Sequence, residues 1–111
     1  MNLSYAITCC NEHAEIQQLI EFLLKHKRSQ DKITVLFDET KQCKATEEYL
    51  RTHSVEEDFS WFSREFTGHF GDWKNLMGFY CTGDYIFNID ADEMPTVELI
   101  KALPDLINQD L

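Results

Sequence analysis

Tyr85-Ile86-Phe87-Asn88-Ile89-Asp90-Ala91-Asp92-Glu93 is the stretch on which the reading of this chain turns. A short apolar strand runs directly into three acidic side chains. In open α/β sheets, ligands bind at the carboxyl ends of the strands. Carboxylates clustered there suit a hard divalent cation such as Mg²⁺ or Mn²⁺, which takes oxygen ligands and commonly bridges to phosphate oxygens. Alternate residues of a strand share a face, so Asp90 and Asp92 are expected to point one way and Ala91 the other.

Working outward, strands and helices alternate along the whole chain. Leu3 to Cys9 reads as a buried strand that turns at Asn11-Glu12. Ile16, Leu19, Ile20, Leu23 and Leu24 then recur at helical spacing, and Lys25-His26-Lys27-Arg28 closes that helix at the end where its dipole favours positive charge. Ile33 to Phe37 is a second strand, ending at Asp38-Glu39-Thr40. A weaker helix is expected over 42–52 with Ala45 and Tyr49 inward, and Glu56-Glu57-Asp58 reads as a solvated linker. Phe59, Trp61 and Phe62 suggest a third strand, and Phe66 to Gly71 a loop. Trp73, Leu76, Met77 and Tyr80 share a helix face, read as core, with Gly83 ending that helix and Asp84 opening the fourth strand. After Pro95, Thr96 is placed to cap a last helix with Val97, Ile100 and Leu103 inward and Pro104 interrupting it. The alternation predicts a three-layer α/β/α architecture around a mostly parallel sheet with right-handed crossovers.

Composition narrows the function. The 111 residues are enough for one small domain, and 43% of them are apolar. Twenty acidic against ten basic residues give a net charge of -10, which argues against a nucleic-acid partner and against simple attraction to anionic lipid. No apolar run approaches a membrane span and no signal-peptide core is present, so a cytoplasmic protein without a transmembrane segment is expected. Cys9, Cys10, Cys43 and Cys81 match no zinc or redox spacing, and reduced, partly buried thiols are expected.

In such a sheet three strand ends meet at one edge: Thr8, Cys9, Cys10 and Asn11 from the first, Asp38, Glu39 and Thr40 from the second, and Asp90, Asp92 and Glu93 from the fourth. No glycine-rich phosphate loop follows the first strand, which removes the dinucleotide and P-loop readings. Four stretches then carry a family resemblance: Ala6-Ile7-Thr8-Cys9-Cys10-Asn11-Glu12, Val35-Leu36-Phe37-Asp38, Gly71-Asp72-Trp73-Lys74-Asn75, and above all Gly83-Asp84-Tyr85 through Asp90-Ala91-Asp92-Glu93-Met94-Pro95. Over essentially its whole length the chain resembles the nucleotide-sugar-binding half of family 2 glycosyltransferases, which have a GT-A-type, Rossmann-like fold.

The resemblance implies a donor site for a nucleoside diphosphate sugar, a UDP-sugar foremost. Thr8 would lie beside the nucleoside with Cys10 and Asn11 in the same turn, and Asp38 would hydrogen-bond the base or ribose. Asp90 would approach the ribose or a metal-bound phosphate, and Asp92 would coordinate Mn²⁺ or Mg²⁺. Lys74, where members often carry arginine, would help to hold the diphosphate, or is an exposed helix lysine. Glu93 is expected to cap the last helix. The chain departs from the pattern at Cys10, where members often carry tyrosine. It also departs at Leu111, beyond which the resemblance places the acceptor half and the catalytic base. The expectation is therefore a single truncated donor-binding domain over 1–111, which pairs with its own kind or with a missing second half. A non-catalytic, vestigial binding module is the alternative. Ile89-Asp90-Ala91-Asp92-Glu93-Met94 also resembles the haloacid-dehalogenase phosphatase motif, with Asp90 as nucleophile. That motif wants Thr or Val at Met94 and usually stands on the first strand.

Overall fold

Four runs rich in β-branched and aromatic residues pair side by side into one sheet, because such side chains pack well on a pleated surface. They are β1 (Leu3–Cys9), β2 (Lys32–Asp38), β3 (Ser60–Arg64) and β4 (Tyr85–Asp90), in the spatial order β3-β2-β1-β4. All three pairings are parallel. Parallel neighbours need crossovers, and helices supply them: α1 (His13–His26), α2 (Lys44–Glu56) and α3 (Phe70–Tyr80), with α4 (Val97–Gln109) after β4. The computed structural model describes residues 2–41, 43–66, 68, 70–81 and 84–109, with the side chains of 56, 70, 74 and 107–109 outside that description. Gly83, expected to end the third helix, lies outside the described residues; α3 ends at Tyr80.

The helices form two layers, so the architecture is α/β/α. Ile16, Leu19, Ile20 and Leu23 of α1, Leu50 of α2 and Ile100 of α4 pack on the sheet face that carries Tyr5, Ile7, Val35 and Phe37. On the other face Trp73 and Met77 of α3 close over Ala6 and Leu36, and Phe62 stacks on Tyr80 at 3.9 Å between ring centroids. Ile86, Asn88 and Asp90, at alternate positions of the edge strand β4, remain exposed.

Several boundaries differ from the sequence expectation. Helix α2 buries Thr46, Tyr49 and Leu50 and leaves Ala45 exposed, because the larger apolar pair sets the rotation of the helix. It also absorbs Glu56 from the expected linker, and the Glu57 N–H closes onto the His53 carbonyl. Helix α3 starts at Phe70 and so takes in Phe70 and Gly71, the end of the loop that the sequence predicts. Helix α4 continues through Pro104, with buried Ile100 and Leu103 holding it against the core.

The amino edge of the sheet is pinned by one buried carboxylate. Asp31 accepts the Leu3 N–H at 3.0 Å and a two-pronged contact from Arg28 at 2.9 Å on each oxygen. On the same edge the Asn2 carbonyl accepts the N–H groups of Asp84 and Tyr85. These ties fix the register of β4 against β1 as Leu3 opposite Tyr85, which places Thr8 opposite Asp90 at the far end.

Candidate functional site

That register makes the first contact of the site. Thr8 Oγ1 donates to Asp90 Oδ1 at 3.1 Å, and the Ala91 N–H continues the ladder onto the Thr8 carbonyl. The strand ends there. Ala91 turns into the core while Asp90 and Asp92 stay exposed on the wall of one cavity, as alternation along the chain requires. Glu93 does not cap the last helix. Its carboxylate turns back to accept the Asp90 N–H at 2.9 Å, so it braces the acidic turn, while Thr96 Oγ1 caps α4 by accepting the Leu99 N–H at 3.1 Å. Glu93 lies three residues before the N-cap position, which the Thr96 hydroxyl takes.

Asp38, at the end of β2, is held as firmly. One oxygen accepts the N–H groups of Thr40 at 3.0 Å and Phe66 at 3.2 Å, which ties the end of β2 to the segment after β3. Partial burial pushes the Asp38 carboxyl upward. The bonds from the Thr40 side chain and from the Thr40 and Phe66 main chain, with the Lys41 charge, outweigh it and hold the group below its ordinary value. Asp38 is therefore a fixed anion at neutral pH.

At the exit of β1 the Cys10 N–H donates to the Glu12 carboxylate at 2.6 Å, closing a tight turn before α1. Cys9 is buried in the core and Cys10 is half-buried, and both border the cavity. Burial, with a contact to Cys43, pushes the Cys10 thiol up to about 11.

These pieces border a cavity of about 390 Å³ at the carboxyl edge of the sheet, within the usual size of a small-ligand site. Thr8, Cys10, Asp38, Asp90 and Asp92 all line it. Asn11 is exposed and outside the wall, because the chain has already turned away toward α1. Lys74 falls on α3 with its side chain outside the described residues. Glu12, Phe66, Trp73 and Asn88 join the wall without having been singled out as site residues. Asn88 was detectable in principle, since it shares the face of Asp90 two residues on. Phe66 and Trp73, which meet edge to face at 5.3 Å, read in sequence only as loop and core.

The wall carries four carboxylates, Glu12, Asp38, Asp90 and Asp92, so an anionic ligand would be repelled unless a cation accompanied it. Among the described residues no group of three His, Cys, Asp or Glu side chains is arranged to hold a metal ion. Asp90 and Asp92 are the wall residues that could donate oxygens to a divalent ion, since Mg²⁺-like ions are commonly held by one or two carboxylates with phosphate oxygens and water completing the shell.

Comparison with known proteins bears on the fold. No protein-family model matches the sequence, and no curated protein matches it. Among solved structures, the chain is similar to S. aureus TarS 1–349, with a TM-score of 0.78 and 18% identity over 98% of this chain and 33% of that chain. The complex of TarS 1–349 with UDP-GlcNAc gives a TM-score of 0.79 and the complex with UDP 0.78, each at 18% identity over 98% of this chain and 32% of that chain. The chain thus shares the α/β fold of that part of TarS. The chain spans about a third of the length of those TarS chains. Among the described residues no helix is long and apolar enough to cross a membrane.

Proposed function

We propose that the cleft binds a nucleoside diphosphate sugar, and that the chain is the donor-binding part of a family 2-like glycosyltransferase. One observation carries this reading. Thr8, Asp38, Asp90 and Asp92 converge on a single cavity, at the carboxyl edge of a fold shared with a protein crystallised with UDP and UDP-GlcNAc. In this reading the outward oxygen of Asp38 accepts from the base or ribose, and its fixed geometry orients the donor at little entropic cost. Asp90, bonded to Thr8 and braced through its main chain by Glu93, faces the ribose and diphosphate. Asp92 and Asp90 would hold Mn²⁺ or Mg²⁺. That ion would act as a Lewis acid, neutralising the charge that builds as a nucleoside diphosphate leaves. The Phe66 and Trp73 rings keep one side of the cavity apolar and limit water there. This reading assigns no catalytic base within residues 1–111, because Asp105 stands on α4 and not at a strand end.

Calorimetric titration of UDP, with and without Mn²⁺, tests the reading. Binding that needs the metal, and that Asp92→Ala weakens at least tenfold, about 1.4 kcal/mol, is the expected result. Absence of binding by UDP, GDP and dTDP alike, with Mn²⁺ present, would overturn it.

A further inference from the structure

Cys10 and Cys43 are separated by 33 positions in sequence, yet their sulfurs stand 3.9 Å apart. The contact joins two loops that carry the cleft. Cys10 leaves β1 and lines the cavity. Cys43 sits at the N-cap of α2, just beyond the Asp38–Lys41 turn. Both side chains are half-buried, so small oxidants reach them. Of the other two cysteines, Cys9 borders the same cavity but is buried in the core, and Cys81 follows α3 on the opposite face of the sheet. A disulfide has its sulfurs about 2.05 Å apart, so closure asks for roughly 2 Å of approach.

We propose that Cys10 and Cys43 are a reversible thiol–disulfide modification site at the rim of the cleft, and that closing it weakens ligand binding there. The chemistry needs an oxidant of the disulfide class. One cysteine thiolate attacks a sulfur of a small disulfide and expels a thiolate, leaving a mixed disulfide. The second cysteine then attacks the protein sulfur, forms the Cys10–Cys43 bond and expels the second small thiolate. Two protein thiols are oxidised, one small disulfide is reduced to two thiols, and the two protons from the cysteines end on them. Closure draws the Cys10 sulfur out of the cavity wall toward α2. It also pulls on a turn whose main chain is fixed by Glu12 and lies two residues from Thr8.

The effect on binding rests on the proposed donor site; formation of the bond does not. The test uses the full chain, incubated with oxidised glutathione at pH 8.5 and then digested for mass mapping. The expected product is a peptide cross-linked between Cys10 and Cys43, two hydrogens lighter than its parts, lost on treatment with dithiothreitol. UDP affinity in the presence of Mn²⁺ should fall about tenfold on oxidation and return on reduction, while Cys43→Ser binds UDP normally and ignores the oxidant. Glutathione adducts without the cross-link would overturn the site. A cross-link that leaves UDP affinity unchanged would overturn its effect on the cleft. If the reduced protein binds no UDP, the donor reading fails and the mass map alone decides the disulfide.

Discussion

The hydroxyl of Tyr5 lies in the core with no hydrogen-bond partner among the described residues. Its ring packs edge to face on Phe87 at 6.2 Å, so the ring is useful there and the oxygen is not. Tyr5→Phe keeps the packing and removes a buried polar atom, and should raise stability by about 1 kcal/mol at pH 7 in urea unfolding. Burial, reinforced by the Asp31 charge, pushes the Tyr5 hydroxyl up to about 12, above its unfolded value near 10. Stability from this group is complete below pH 10 and is lost as pH rises from 10 toward 12, by roughly 2 kcal/mol. The variant should lose correspondingly less over that interval, with Tyr49, also raised to about 12, and the raised thiols of Cys9 and Cys10 contributing to what is left. Asp38 runs the opposite way. Its folded value lies below the unfolded one near 3.9, so its contribution is present above about pH 4 and disappears as pH falls below it. Asp38→Asn should therefore be less stable than the parent at pH 7, and the gap should narrow as pH falls below 4 in thermal melts. Residues of this kind were only partly legible in the sequence. Asp38, Asp90 and Asp92 stand at strand ends, where type and place coincide. The partners that fix them, Phe66 for Asp38 and the inward-turned Glu93 for Asp90, depend on loop geometry that no local pattern encodes.

At the scale of elements, the strands and the α1 face follow the sequence because each has a strong period and a clear stop. Helix α2 does not, because, of its large apolar residues, only Tyr49 and Leu50 are buried, Val55 standing in solvent. Two such residues fix a rotation that a search for spaced small residues misplaces, which is why Ala45 is outside. Pro104 illustrates the same limit: a proline in a helix costs about 3 kcal/mol, and the packing of Ile100 and Leu103 on the core offsets it. The element ties at the amino edge are equally non-local. Asp31 is fully buried and joins the end of α1 to the start of β1 through Arg28 and the Leu3 N–H. Asp31→Ala leaves a buried N–H unpaired and half-buried Arg28 without this partner. It should cost about 3 kcal/mol in urea unfolding, with Asp31→Asn losing less because the amide oxygen still accepts from Leu3.

For the whole molecule, alternation of strand and helix was sufficient to imply a parallel α/β sheet, and the structure supplies the order that makes it matter. Placing β1 between β2 and β4 gathers Thr8, Asp38, Asp90 and Asp92 around one cavity, although they span 85 positions of sequence (8 to 92). The proposed donor reading, set against the acidity of the wall, requires that the anionic ligand arrive with a cation. Amide chemical-shift mapping by NMR, with UDP added in the presence of Mg²⁺, tests that claim most directly. The account predicts shifts concentrated at residues 8–12, 38–40, 66 and 88–93, with the amino edge around Leu3, Asp31 and Asp84 silent. Shifts centred away from the carboxyl edge, or none at saturating UDP, would contradict it.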